Sequence, residues 1–441
     1  MKDPMTFLRP VSRRAFLSGA AALAASSSGA LATGDVYVHA GSNFTPVTIA
    51  VTPLAGDVGE GRIGAVLVND LSRSVFLSPL NPQNFPEAIT NPDAKPNLDA
   101  WKTINAQFVL TGRVGRAEGG RISAQFRLWD VLSGAQVAGQ QYTTDAANSR
   151  RVAHLIADAV FSRITGETGF FDSRVAFVDE TNSKANRRKR LALMDMDGAN
   201  VKYLTQGDNL VVAPSFSPNQ QQVAYMSFAN GDPKVTVLDL ESGQRTPVGQ
   251  FSGMTFSPRF SPDGRKLLLS LSGGSTSNIY VMDLGSRSQT QLTDTNAIDT
   301  SPCFSPDGSQ IVFESDRGGT QQIYVMGAGG GGAKRISFGS GRYSTPVWSP
   351  KGDLIAFTRQ KDSLFGIGVM KPDGSGERII TEGYHNEGPT FSPNGLFVMF
   401  FRDPGGESGA KIYMADIFGH GEFVVPTPSY ASDPSWGPLL K

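Results

Sequence analysis

The chain has 441 residues, and its 40 Lys plus Arg balance 40 Asp plus Glu to a formal net charge of zero, so no global field favours nucleic acid or an anionic membrane. Its single cysteine, Cys303, excludes an internal disulfide framework. Fifty glycines and 27 prolines fit a fold built from many tight turns.

Near its start the chain carries Ser12-Arg13-Arg14-Ala15-Phe16-Leu17, followed by a mildly apolar Ala-rich stretch and then Ala30-Leu31-Ala32. A basic start, a short apolar core and an A-x-A site predict a cleaved signal peptide over residues 1–32, and the paired arginines suggest the twin-arginine route. The apolar core is too short and too rich in Ser and Gly to persist as a membrane-spanning helix. The mature chain is therefore expected to begin near Thr33, with a free N-terminal segment over 33–45.

Residues 46–166 read as a small mixed α/β domain. Pro46–Val51 alternates as a strand, and Ile63, Val66, Leu67, Leu71 and Val75 recur at helical spacing. Three strands follow at Gln107–Val114, Arg121–Trp129 and Gln136–Tyr142, joined by Gly-containing turns. Ala146–Ile164 then reads as an amphipathic helix, with Val152, Leu155, Ile156, Ala159 and Val160 on one face. Residues 167–173 are expected to form a linker.

From 174 to 441 an aromatic-Ser-Pro motif recurs at Phe216, Phe260, Phe304, Trp348 and Phe391, with a worn Trp-Gly-Pro copy at Trp436. Successive differences are 44, 44, 44, 43 and 45 residues, a propeller-blade period. The unit from Ser301 to Gly339 contains four short strands separated by turns such as Pro306-Asp307-Gly308, which is one blade. Cys303 falls in an inner strand and reads as a small buried apolar residue. Only five residues follow Trp436, whereas Arg174–Val178, Arg190–Asp195 and Val201–Leu204 lack an upstream inner strand. Pairing Pro434–Leu439 with Arg174–Val178 closes a six-bladed ring and satisfies its edges.

The chemical motifs are weak. Gly327–Gly332 matches a dinucleotide fingerprint formally, but a strand and not a helix follows it, so it reads as a hairpin loop. Asn186–Arg190 is the one strong charge run; it reads as a solvated loop, with contact to an anion or partner as the alternative. His39, His154, His385 and His420 show no metal-ligand spacing, and Asp195-Met196-Asp197-Gly198 lacks the later ligands of a calcium loop. No G-x-S-x-G occurs. No catalytic residue, cofactor or metal is therefore assigned. The variable loops ahead of the inner strands carry Arg342, Tyr343, Tyr384, His385, Asn386, Glu387 and Asp433, and recognition is expected on such loops.

Several stretches resemble the TolB family of propeller proteins of the Tol–Pal envelope system. Ser315-Asp316-Arg317-Gly318-Gly319 with Gln322–Met326, and Ile279–Asp283 with Gln291-Leu292-Thr293, resemble its repeat signature. Ile164–Phe171 with Ser173–Val178 resembles its domain junction, and Pro434–Pro438 its closing strand. The resemblance implies a WD40-like (PD40) propeller in a monomeric, non-enzymatic periplasmic adaptor that supports envelope integrity and cell division. It implies binding of the lipoprotein Pal at the channel mouth, through Met254, Thr255, Asp299, Thr300, Tyr343, Ser344, His385, Asn386, Glu387 and Asp433, with tyrosines as anchors. It implies TolA binding through Asp35, Val36, Tyr37, Val38 and Phe44, coupled to the mouth by ordering of that segment. Bacteriocins or phage proteins are further candidate partners. Phe256-Ser257-Pro258 stands out as an insertion beside the family pattern. The rival expectations are a propeller enzyme or small-ligand receptor using the central channel, and an envelope scaffold docking through Asn186–Arg190.

Overall fold

The computed structural model describes residues 36–38, 44–58, 62–182, 186–229, 232–249, 255–406 and 408–440. The predicted signal segment, Asp35 and Met254 lie outside them, and for Val36–Val38 and Thr255 only the backbone is described.

In chain order the first elements are β1 (Val36–Val38), β2 (Val47–Val51), α1 (Ile63–Arg73), β3 (Leu77–Pro79), α2 (Leu98–Lys102), β4 (Phe108–Arg116), β5 (Ile122–Asp130), β6 (Gln136–Thr144) and α3 (Ser149–Thr165). A five-stranded sheet runs β3-β2-β4-β5-β6, with β2 parallel to both β3 and β4 and the remaining pairs antiparallel. Its strands alternate between two apolar clusters, as period-two side chains require. Ile49, Val51, Leu110 and Leu128 face α1 and α3, whereas Ala50, Val109 and Trp129 meet Leu98 and Trp101 from α2. Helix α3 stops at Gly166, whose φ of 75° a side chain would resist and whose N–H reaches the Ser162 carbonyl at 3.0 Å.

Six four-stranded antiparallel blades follow. Blade 1 takes its inner strand, Tyr430–Leu439, from the end of the chain; Ser435 lies opposite Ala176 and Trp436 opposite Val175, as the period predicts. The recurrent serine has a physical role. Ser305 Oγ donates to Asp307 (2.5 Å) and accepts the Gln310 N–H (3.0 Å), and Gly308 turns the chain at φ 72°. Ser261 accepts from Lys266 and Ser392 from Phe397 in the same way. The bonds from Ser305 and Ser309 hold the Asp307 carboxyl down to about 2.

The N-terminal domain covers one face of the disc near blades 1, 5 and 6. Phe170 packs on Phe397 and Trp436, Lys351 pairs with Glu167 at 2.6 Å, and Asn394 donates to the Thr168 carbonyl at 2.8 Å. β1 adds a fifth strand to blade 6, antiparallel to its outer strand, with Val36 opposite Phe423 and Val38 opposite Gly421.

Candidate functional site

The face opposite the N-terminal domain carries the loops that enter the inner strands and the hairpins between second and third strands. Each inner strand has a bulge at the same place, where a residue with positive φ precedes proline. These residues are Ala213, Ser257, Ser301, Thr345, Gly388 and Asp433, with φ between 48° and 66°. Each bulge interrupts the register with the second strand. Ser257-Pro258 occupies this common position, so Phe256-Ser257-Pro258 is no insertion. It belongs to a second beat, Pro214, Pro258, Pro302, Pro346, Pro389 and Pro434, each two residues before the aromatic and fully visible in the sequence.

The bulges converge on the axis and line a cavity of about 90 Å³ with Arg259 and Asp433 at its wall. Side chains staple neighbouring blades around it. The Phe216 N–H donates to Ser435 Oγ (2.9 Å), the Trp436 N–H to Thr390 Oγ1 (3.1 Å) and the Trp348 N–H to Cys303 Sγ (3.5 Å). Cys303 is half-buried and not wholly enclosed as expected. Glu314 accepts from Thr300 Oγ1 at 2.5 Å and from the Thr345 N–H at 2.7 Å; burial pushes its carboxyl upward against those bonds. Burial also raises the Asp433 carboxyl, opposed by Lys189.

The sequence-predicted mouth residues divide into two groups. Thr300, Ser344, His385, Glu387 and Asp433 are half-exposed near the bulges, and His385 Nε2 lies 3.0 Å from Glu387. Tyr343, Asp299 and Asn386 have no exposed surface. Tyr343 packs on Phe357 inside blade 5 and donates to Glu377 at 2.7 Å; burial and that carboxylate push its phenol up to about 12. Asp299 pairs with Arg317 and Asn386 accepts from Arg402. These three brace the loops from within, so the expected tyrosine anchor cannot be Tyr343. Alternation along each inner strand turns such residues into the blade.

The exposed apolar groups lie elsewhere. On this face Leu210, at the entry to blade 2, is 45% exposed, and Ile298, Phe338, Leu364 and Tyr384, in the loops of blades 4 to 6, are 43%, 70%, 46% and 64% exposed. An isolated aromatic in the Gly/Ser-rich Ser337-Phe338-Gly339-Ser340-Gly341 was the available sequence signal. On blade 1 the basic run is largely taken up by ion pairs within the protein, although the Arg188 side chain stays 48% exposed. Arg187 and Lys189 both reach Glu180 at 2.8 Å, Arg190 reaches Asp179 at 2.7 Å and stacks over Tyr203, and Arg188 bonds the Gln206 carbonyl. Burial opposes ionisation of Glu180, but Lys189, Ser432 and Arg187 hold its carboxyl below the usual range.

At the domain boundary Phe44 stacks on His420 with centroids 4.4 Å apart and meets Phe76 edge-on. β1 therefore pairs with blade 6 beside an aromatic patch that also holds Phe418. Among the described residues, no helix is long and apolar enough to cross a membrane.

Comparison with known proteins agrees with this architecture. Residues 35–137 match the TolB amino-terminal domain and residues 161–440 the TolB beta propeller domain. The crystal structure of TolB from Acinetobacter baumannii is similar at 26% identity and a TM-score of 0.82, covering 92% of this chain and 100% of that one. A putative TolB from Agrobacterium tumefaciens shares 21% identity over 60% of this chain and 97% of its own, with a TM-score of 0.46. With both modules matched in order over most of its length, the chain belongs to the TolB family.

Proposed function

We propose that this protein is a periplasmic, non-enzymatic adaptor of the Tol–Pal system. Its open loop face binds Pal, its N-terminal segment binds TolA, and the two together support outer-membrane integrity and envelope constriction. The observation that carries the Pal assignment is the exposure of Ile298, Phe338, Leu364 and Tyr384 in the loops of blades 4 to 6, on the face that also carries Thr300, Ser344, His385, Glu387 and Asp433. Apolar anchors flanked by polar groups that fix register are the anatomy of a protein interface.

The rival reading, a channel enzyme or small-ligand receptor, is disfavoured by scale. A cavity of about 90 Å³ falls well short of the roughly 300–1,000 Å³ of small-molecule sites. Calorimetric titration of the mature protein with the periplasmic domain of its own Pal tests the proposal. A Phe338→Ala/Tyr384→Ala variant is expected to weaken binding at least tenfold, with Glu387→Ala weakening it less. Absence of binding by folded wild type would overturn the assignment. Truncating residues 33–44 separates the TolA role: TolA binding is lost, and unchanged Pal affinity would remove coupling between the sites.

A further inference from the structure

We infer that His154 is the charged keystone of the joint between the N-terminal domain and blade 1, an imidazolium that ties α1 to the propeller through Asp70 and Asp195. His154 lies on α3 with 3% exposure. Its Nδ1 is 2.7 Å from Asp70 of α1, and its Nε2 faces Asp195 of blade 1 at 3.8 Å. A neutral ring carries one N–H and would turn a lone pair toward one of the two carboxylates. Only the doubly protonated ring presents a positive edge to both.

The surrounding charges support the same state. α1 contributes Asp70 and Arg73, α3 contributes Arg150, Arg151 and Asp158, the linker contributes Asp172, and blade 1 contributes Asp195 and Asp197. Arg151 pairs with Asp172, and Asp158 accepts the N–H groups of Phe171 and Asp172. Arg150 contacts Asp197 and lies 3.7 Å from Asp195. In the inner cluster Asp70, Asp195 and Asp197 face Arg73 and Arg150; burial raises the Asp70 carboxyl and His154 opposes that shift, so a positive ring favours the ionised carboxylate. Burial by itself would drive the ring neutral, but Asp70 and Asp195 outweigh it and raise the ring to about 10.

A metal ion is the competing occupant, because donor atoms of His154, Asp195 and Asp197 lie within 4.8 Å of one another. A dication there would have to displace the ring proton and sit against the Arg150 guanidinium. The proton meets neither penalty. The joint is therefore a lock through neutral pH. The ring's folded value exceeds its ordinary one, so its stabilisation is complete below about 6.5 and is lost as pH rises through about 10.

Imidazole ¹⁵N NMR of the mature wild-type protein from pH 6 to 10, with and without zinc, tests the inference. The expected signature is both His154 nitrogens protonated at pH 8, with Asp195→Asn lowering the transition by at least one pH unit. His154→Gln is expected to speed proteolysis within residues 166–173 at least tenfold, as the domain loosens from blade 1. A ring that titrates at or below pH 7, or that binds one zinc in place of its proton, would overturn the inference. If His154→Gln does not fold, the wild-type and Asp195→Asn spectra still decide it.

Discussion

The N-terminal domain meets the propeller at two seams that differ in what apolar packing is joined to. At blade 6 the contact is aromatic: Phe76 and Phe170 pack on Phe397, and Phe76 also meets Phe418. At blade 1, where Phe170 also packs on Trp436, an ionic network is added, built from His154, Asp70, Arg150, Asp195 and Asp197. Apolar burial is non-directional, so the aromatic seam loses stability roughly in proportion to the area removed. A buried charge network depends on every member, because each removal strands a desolvated partner. The difference predicts graded failure at blade 6 and abrupt failure at blade 1.

The largest effect is expected from Phe397→Ala, which removes a fully buried ring touching both domains. It should cost about 3–5 kcal/mol, read as a lowered urea midpoint; a loss below 1 kcal/mol would mean the seam repacks freely. Asp197→Ala should cost about 3 kcal/mol by leaving Arg150 without its close partner. Its companion Asp197→Asn should recover only part of that loss, since an amide keeps the shape without the charge. Equal stability of the two variants would show that charge is not what holds the seam.

A smaller, pH-dependent effect concerns Asp158, whose carboxyl is raised to about 6 chiefly by burial. The folded state binds a proton more readily than the unfolded chain there, so this group's contribution weakens as pH rises from about 4 to about 6. Asp158→Asn should flatten the stability profile in that window, and an unchanged slope in denaturation at pH 4, 5 and 6 would reject the assignment. The smallest change is expected at the bulges. Ala213 holds φ 51°, so Ala213→Gly relieves left-handed strain at some entropic cost and should stabilise by at most about 1 kcal/mol. A destabilised variant would show that the bulge is not strained.

The bulge residues also show how far the sequence could be read. The aromatic-Ser-Pro beat was legible because one serine closes the same turn in successive blades, and local chemistry repeats wherever local geometry does. The proline beat two residues earlier was equally present, yet at Phe256-Ser257-Pro258 it looked like an insertion. Its meaning lies in a register shift against the neighbouring strand. Tyr343 was legible as a loop aromatic, but not its direction, since a one-residue change of phase turns a side chain from the mouth into the blade.

His154 marks the same boundary. As one of four dispersed histidines it carried no motif, because Asp70 lies 84 residues before it and the Asp195–Asp197 turn about 40 after. Chain order and periodicity determined the six blades, their closure by the last strand and the α/β domain ahead of them, because backbone pairing and turn chemistry act between near neighbours. Burial, charge pairing and the choice of exposed side chains were decided only when distant segments met, since desolvation depends on everything that packs around a group.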